Sequence, residues 1–189
     1  MKRLSIGLIV ACVSACTGNV SENVSPMAPA GPVTFVLRNP TSAPVYFAWV
    51  GQRPELDIEH QGQHLAMTRG CRMLCDEGCE CMDCDAAPPI VRRLAPGDQH
   101  TFEWSGEWFE LLACGTCGCV RPRSAMPGDY DIAVAGARGY QSHGGTGAWN
   151  GDLLTNASLD PASSACQATF ESALVEGAQT VTLTFVCEQ

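Results

Sequence analysis

The residues of this chain best placed to do chemistry are its cysteines, 12 in 189 residues. Ten of them follow residue 70. Cys71, Cys75, Cys79, Cys81 and Cys84 form one cluster, Cys114, Cys117 and Cys119 a second, and Cys166 and Cys187 stand apart near the end. An even set of this kind in an oxidising compartment predicts disulfides. If the last two strands are antiparallel neighbours turning near Glu176-Gly177, Cys166 faces Cys187 and Phe170 faces Leu183 in one register. A bond there closes a loop of about 20 residues, a stabilisation of about 3 kcal/mol. The two remaining clusters hold five and three cysteines. Both numbers are odd, so complete oxidation within one chain requires at least one bond between the clusters. The segments 68–89 and 106–126 are therefore expected to meet as a disulfide-rich cap, with no particular connectivity favoured.

The competing chemistry is metal. The runs Cys71-x3-Cys75-x3-Cys79-x-Cys81-x2-Cys84 and Cys114-x2-Cys117-x-Cys119 resemble metallothionein spacing, and thiolates suit Cu(I) and Zn(II). A zinc ribbon could use Cys81/Cys84 and Cys114/Cys117, but across a longer separation than usual, and every ligand must be reduced. Thiol–disulfide exchange needs a Cys-x2-Cys opening a helix, where the thiol is acidified. Pro88-Pro89 leaves little room for one after the first cluster. Disulfides are the expectation, with no metal and no cofactor.

Two further cysteines precede these. Lys2 and Arg3 are followed by ten apolar-rich residues, Leu4 to Val13, too few to span a bilayer, and then by Val13-Ser14-Ala15-Cys16. Cys12 falls inside the apolar stretch. This segment resembles the signal peptide and lipobox of bacterial lipoproteins. The resemblance implies removal of residues 1–15, a diacylglyceryl thioether on Cys16 and an acylated amine there. It implies attachment to a membrane of the cell envelope, and Thr17 in place of an aspartate leans towards the outer membrane. Two or more acyl chains hold stably, because each buried methylene contributes about 0.8 kcal/mol. Removing Lys2 and Arg3 from the 11 basic residues leaves nine against 20 acids, a net charge of −11. Such a surface does not dock on anionic lipid unaided, so the lipid must do the holding.

Other motifs carry less. His60-x3-His64 would be a zinc pair on a helix, but in a hairpin turning at Gln61-Gly62 the two rings point to opposite faces. Gly136 to Ser164 reads as a long glycine-rich loop, and its part Gly136 to Gly151 lacks Gly-Lys-Ser/Thr and so is no phosphate cradle. Loops of this kind carry binding, and Tyr140, His143 and Trp149 are its candidates. Trp104 is expected in the core, whereas Trp108 and Phe109 at the cap are candidates for partner contact. The acids Asp76, Glu77, Asp83 and Asp85 lack a calcium-loop pattern. No Gly-x-Ser-x-Gly is present, and Ser142 beside His143 is not a nucleophile–base pair. No catalytic residue is assigned.

The elements that position these groups read as strands. Residues 16–32 are expected to be a lipidated start and a disordered tether reaching about 20 Å or more from the membrane. From Val33 the pattern has period two, with Val33, Phe35 and Leu37 on one face. Val45 to Val50 is a continuous apolar run, as in a strand covered on both sides. Ile58 pairs with Leu65 and Leu56 with Met67 across the hairpin. Ala95-Pro96-Gly97-Asp98 suits a type II turn, and Pro127-Gly128-Asp129 launches Tyr130, Ile132 and Val134. About nine short strands and no amphipathic helix make residues 33–189 an all-β, antiparallel, Ig-like β-sandwich with a disulfide-rich cap and long loops. The runs VTFVLRNPTSAPVYFAWV, LAPGDQHTFEW and PGDYDIAV resemble β-sandwich domains of the BsuPI proteinase-inhibitor type and related bacterial lipoprotein domains. That resemblance implies an inhibitor-like or ligand-binding sandwich, from which the long cysteine insert departs.

Composition narrows the classes. With 46% hydrophobic residues the chain is too apolar for disorder, and 20 acids against 11 bases exclude the basic face of a nucleic-acid binder. The expectation is a non-catalytic, lipid-anchored envelope protein that meets the membrane through Cys16 and a protein partner through its cap or glycine-rich loop.

Overall fold

A computed structural model describes residues 29–82, 87–144 and 149–188. The signal segment, Cys16 and most of the tether lie outside the described residues, as does Cys84. The described residues are all-β, and no helix among them is long and apolar enough to cross a membrane.

Among the described residues sixteen strands follow in chain order. The first five are β1 (Ala30–Arg38), β2 (Val45–Val50), β3 (Arg53–Pro54), β4 (Asp57–His60) and β5 (Gln63–His64). After the first cysteine cluster come β6 (Ile90–Leu94), β7 (Gln99–Trp104), β8 (Glu107–Leu112), β9 (Cys119–Ser124) and β10 (Gly128–Ala137). Four short pieces follow, β11 (Tyr140–Ser142), β12 (Trp149–Asn150), β13 (Leu153–Thr155) and β14 (Ala157–Leu159), and then β15 (Ala165–Leu174) and β16 (Gly177–Cys187).

The main sheet runs β12-β13-β6-β2-β10-β15-β16-β1-β7, with β3 on β2 and the β4–β5 hairpin on β10. β15 pairs with β10 over ten residues but with β16 only from Cys166 to Thr169. The β15–β16 ladder keeps the register expected from the sequence from Cys166–Cys187 to Thr169–Thr184 and ends there, one pair short of Phe170 and Leu183. The sheet folds over there. Phe47 of β2 meets Phe185 of β16 at 6.0 Å, Trp104 of β7 meets Tyr130 of β10 at 6.5 Å, and Trp49 of β2 meets His100 of β7 at 5.3 Å. Strands distant in the sheet order thus form two facing layers.

Period-two alternation explains what lies between them. Val33, Phe35 and Leu37 of β1, Tyr130, Ile132 and Val134 of β10, and Val181, Leu183 and Phe185 of β16 are all buried in one cluster. β2 is apolar on both faces for a separate reason. Phe47 points into that cluster, whereas Tyr46 packs in a second one with Tyr140, Trp149 and Leu159.

The arrangement corrects three expectations. β1 and β16 pair in parallel, so the fold is not purely antiparallel. This pairing joins the two ends of the domain, and no short-range signal encodes it. β1 begins at Ala30 rather than Val33. Ala30 is buried, its N–H donates to the Ala125 carbonyl at 2.8 Å, and a Cβ on Gly31 would strike the backbone of Gly177. Finally, the stretch expected as one long loop carries β11 to β14, and β13 extends the main sheet by pairing with β6.

Turn chemistry holds one end together. Asn39 is the buried polar residue of the core, 1% exposed. Its Nδ2 donates to the carbonyls of Ala43 and Leu94, both at 2.9 Å, and its Oδ1 accepts from the Thr41 N–H at 3.1 Å. The Gly97 N–H donates to the Asn39 carbonyl, and Gly97 takes φ 78° in the Ala95–Asp98 turn. Asn39 therefore joins two turns that are far apart in sequence.

Candidate functional site

The cap is built by a hairpin and a strap. β8 and β9 pair from Glu107–Ser124 to Leu112–Cys119 as a sheet of their own. The segment around Leu74 lies parallel to β9. The Cys75 N–H donates to the Val120 carbonyl at 3.0 Å, and the Val120 N–H to the Met73 carbonyl at 2.9 Å. Three disulfides then join the two clusters, Cys75–Cys119, Cys79–Cys114 and Cys81–Cys117. All three cysteines of the second cluster bond to the first, which is more crossing than parity demands. Cys71 is also disulfide-bonded. Cys119 is 3% exposed, whereas Cys79 and Cys81 are open to solvent. Cys166 faces Cys187 and is bonded to it, Cα to Cα 4.0 Å.

The aromatic candidates divide. Trp108 is half-buried and packs against the main core, and Phe109 bridges to Ala66, so both attach the cap to the body. Tyr140 and Trp149 come together at 5.4 Å, edge to face, over Tyr46, with the Arg93 guanidinium 5.3 Å from the Trp149 ring. They fill the second core rather than stand free. His143 lies apart from them. Its Nε2 is 2.7 Å from Ser158 Oγ, and its N–H donates to the Asn156 carbonyl at 2.7 Å. Among the described residues no carboxylate is hydrogen-bonded to His143. The pair thus lacks the orienting acid that acyl transfer uses.

The histidines of the β4–β5 hairpin separate as the register requires. His60 stacks on Tyr130 at 4.3 Å, and its Nδ1 is 2.8 Å from the Asp129 carbonyl. His64 bonds Asp57 at 2.9 Å, a contact that raises its pKa above the ordinary 6.5. Among the described residues no group of three or more His, Cys, Asp or Glu side chains is placed to hold a metal ion.

One polar cluster escaped the sequence reading. Arg92 of β6 lies over the Trp49 ring at 4.5 Å, donates from Nε to Asp152 Oδ2 at 2.5 Å, and places Nη1 3.1 Å from His100 Nε2. It borders an open groove of about 580 Å³ lined by Trp49, Arg53, Arg92, His100, Phe102 and Glu103. No family model, curated protein or solved structure matches the chain.

The geometry selects one tautomer of neutral His100. A guanidinium can only donate, so His100 Nε2 must accept, and the proton sits on Nδ1. Burial, and then the Arg92 charge, lower the His100 pKa below its ordinary 6.5, against a smaller opposite pull from Asp152. Arg92 is itself paired with Asp152, so its charge is offset within this cluster. The one clue in sequence is that His100 shares the inward period-two face of Phe102 and Trp104.

The lowered pKa has a sign. The unfolded chain takes up the His100 proton first, so stability is full above pH 6.5 and is lost as pH falls from there through the folded pKa. His64 acts in the opposite sense but is fully exposed and screened. Across pH 7 to 5, the thermal midpoint of His100→Gln, whose amide oxygen can still accept from Arg92, is expected to fall less than that of the parent. Equal falls in the two proteins would refute this assignment.

Proposed function

We propose that this chain is a lipid-anchored protein of the bacterial envelope. It acts as a non-catalytic interaction or structural module rather than as an enzyme. The observation that carries the reading is the set of three disulfides between segments 71–82 and 114–119. Such bonds persist in the periplasm or on the cell surface and are reduced in the cytosol. They agree with a chain that begins with a secretory pattern ending in Val13-Ser14-Ala15-Cys16. They also consume the sulfur that a thiolate metal site would need.

A cap so cross-linked is a rigid platform, and rigidity reduces the entropic cost of binding. A second reading, a ligand-binding sandwich, is favoured by the Trp49–Arg92–His100 groove. The BsuPI-like turns leave the inhibitor form of that reading to a protease panel. Inhibition at micromolar concentration would favour it over the module.

Palmitate labelling tests the anchor. Label is expected on the parent and is expected to vanish in Cys16→Ala, which should be released from the membrane fraction. Label retained in Cys16→Ala would refute the lipobox reading. Thiol and metal counts on the protein purified from membranes test the rest. Reactive thiols with stoichiometric zinc or copper would replace the module by a sequestration protein.

A further inference from the structure

The fold indicates which end of the domain lies against the membrane. We propose that the pole at which β1 begins rests on the bilayer surface, with Met126 and Val175 in the headgroup interface. The inference rests on the acyl anchor at Cys16 proposed above.

Ala30 is the first residue of β1 and is clamped at that pole. It donates to the Ala125 carbonyl, pairs with Gly177 and bridges to Glu176. The root of the cap lies here too, since Ala125 donates to the Gly106 carbonyl. Beside these contacts lie two of the few exposed large hydrophobic side chains, Met126 at 39% and Val175 at 54%. Each is the direct sequence neighbour of a residue that touches Ala30, so both lie close to the point where the tether joins the domain, whereas Val186, 72% exposed, lies towards the other pole.

Chain dimensions favour one of the two poles. Cys16 is fourteen residues upstream of Ala30. A flexible chain of that length has a root-mean-square span of about 20 Å. β1 runs directly away from the junction, and its eight steps to Arg38 cover about 26 Å. Laying the opposite pole on the bilayer would require the tether to climb the whole side of the domain, beyond its mean span. Resting the Ala30 pole there requires no extension. The acidic net charge gives no attraction to anionic lipid, and Glu176 sits beside Val175. The contact is therefore apolar and weak, and depends on the anchor to hold it in place.

Hydrogen exchange on the purified, acylated protein tests this. The protein is placed in phosphatidylethanolamine–phosphatidylglycerol vesicles and compared with Cys16→Ala mixed with the same vesicles. Exchange over residues 125–127 and 174–177 is expected to slow several-fold in the acylated protein only, with residues 160–164 and 186–188 unchanged. Slowing at 160–164 and 186–188 instead, or no slowing in protein that floats with the vesicles, overturns the orientation and leaves the anchor standing. An N-terminal peptide without acyl mass, in protein that does not float, overturns the anchor and the orientation with it. Slowing that persists without vesicles and grows with protein concentration assigns the pole to a second copy of the chain, and also overturns the proposal.

Discussion

Trp104→Ala is expected to lower stability by about 3–5 kcal/mol, the range for deleting a buried tryptophan. Trp104 is fully buried, meets Tyr130 edge to face, and donates from Nε1 to the Glu107 carbonyl at 2.7 Å. It therefore joins the β7 layer to the β10 layer and fixes the first residue of the cap hairpin. Whole domains are stable by only about 5–15 kcal/mol, so the loss is a large share of the total. A domain of this size loses about 2–4 °C of melting temperature per kcal/mol, so a fall of about 10 °C is expected. Trp104→Phe keeps most of the burial but strands the Glu107 carbonyl, at about 1–2 kcal/mol. Urea titration of both variants distinguishes the two costs. A Trp104→Ala protein that melts within a degree or two of the parent would show that the layers do not depend on this contact.

The second large effect concerns the inner bond of the cap. Cys75 and Cys119 are 44 residues apart in sequence with Cα atoms 5.0 Å apart. Chain entropy alone would assign such a cross-link about 4 kcal/mol. Two further bonds already join the same segments, so the Cys75→Ala/Cys119→Ala double variant is expected to lose less, about 2–3 kcal/mol. Its urea midpoint should fall accordingly, and new protease cleavage should appear within residues 71–82. Cleavage confined to other regions, with an unchanged midpoint, would mean that the backbone bonds of Met73 and Cys75 to Val120 hold the strap without it.

Where the chain reverses locally, the sequence was a good guide. Gln61 and Gly62 both take positive φ, the signature of a tight two-residue hairpin, and the ladder runs through Glu59–His64 and His60–Gln63 as the alternation requires. Cys166 and Cys187 sit on strands joined by a short turn, so one register brings them together. Parity alone required the two cysteine clusters to meet, but it could not choose among connectivities that only the β8–β9 hairpin and the Leu74 strap distinguish.

Long-range choices were hidden. The parallel union of β1 with β16 joins residues about 145 positions apart, and its energy lies in Phe35, Leu37, Val181 and Leu183, which would alternate the same way beside any partner. Strands β11 to β14 are two or three residues long amid glycines, too short for periodicity to register. Arg92, His100 and Asp152 come from three separate segments, and each looks like an ordinary surface residue until the sheet folds over. Trp149 and Tyr140 read as loop aromatics because Tyr46, the residue they cover, is about a hundred positions away.

The place of β1 has a mechanical consequence. Val33–Arg38 is laddered to β7 on one side and to β16 on the other, and the strand begins at Ala30. A pull applied at Ala30 along the strand runs parallel to both ladders. Both ladders then share the load at once instead of peeling apart one rung at a time.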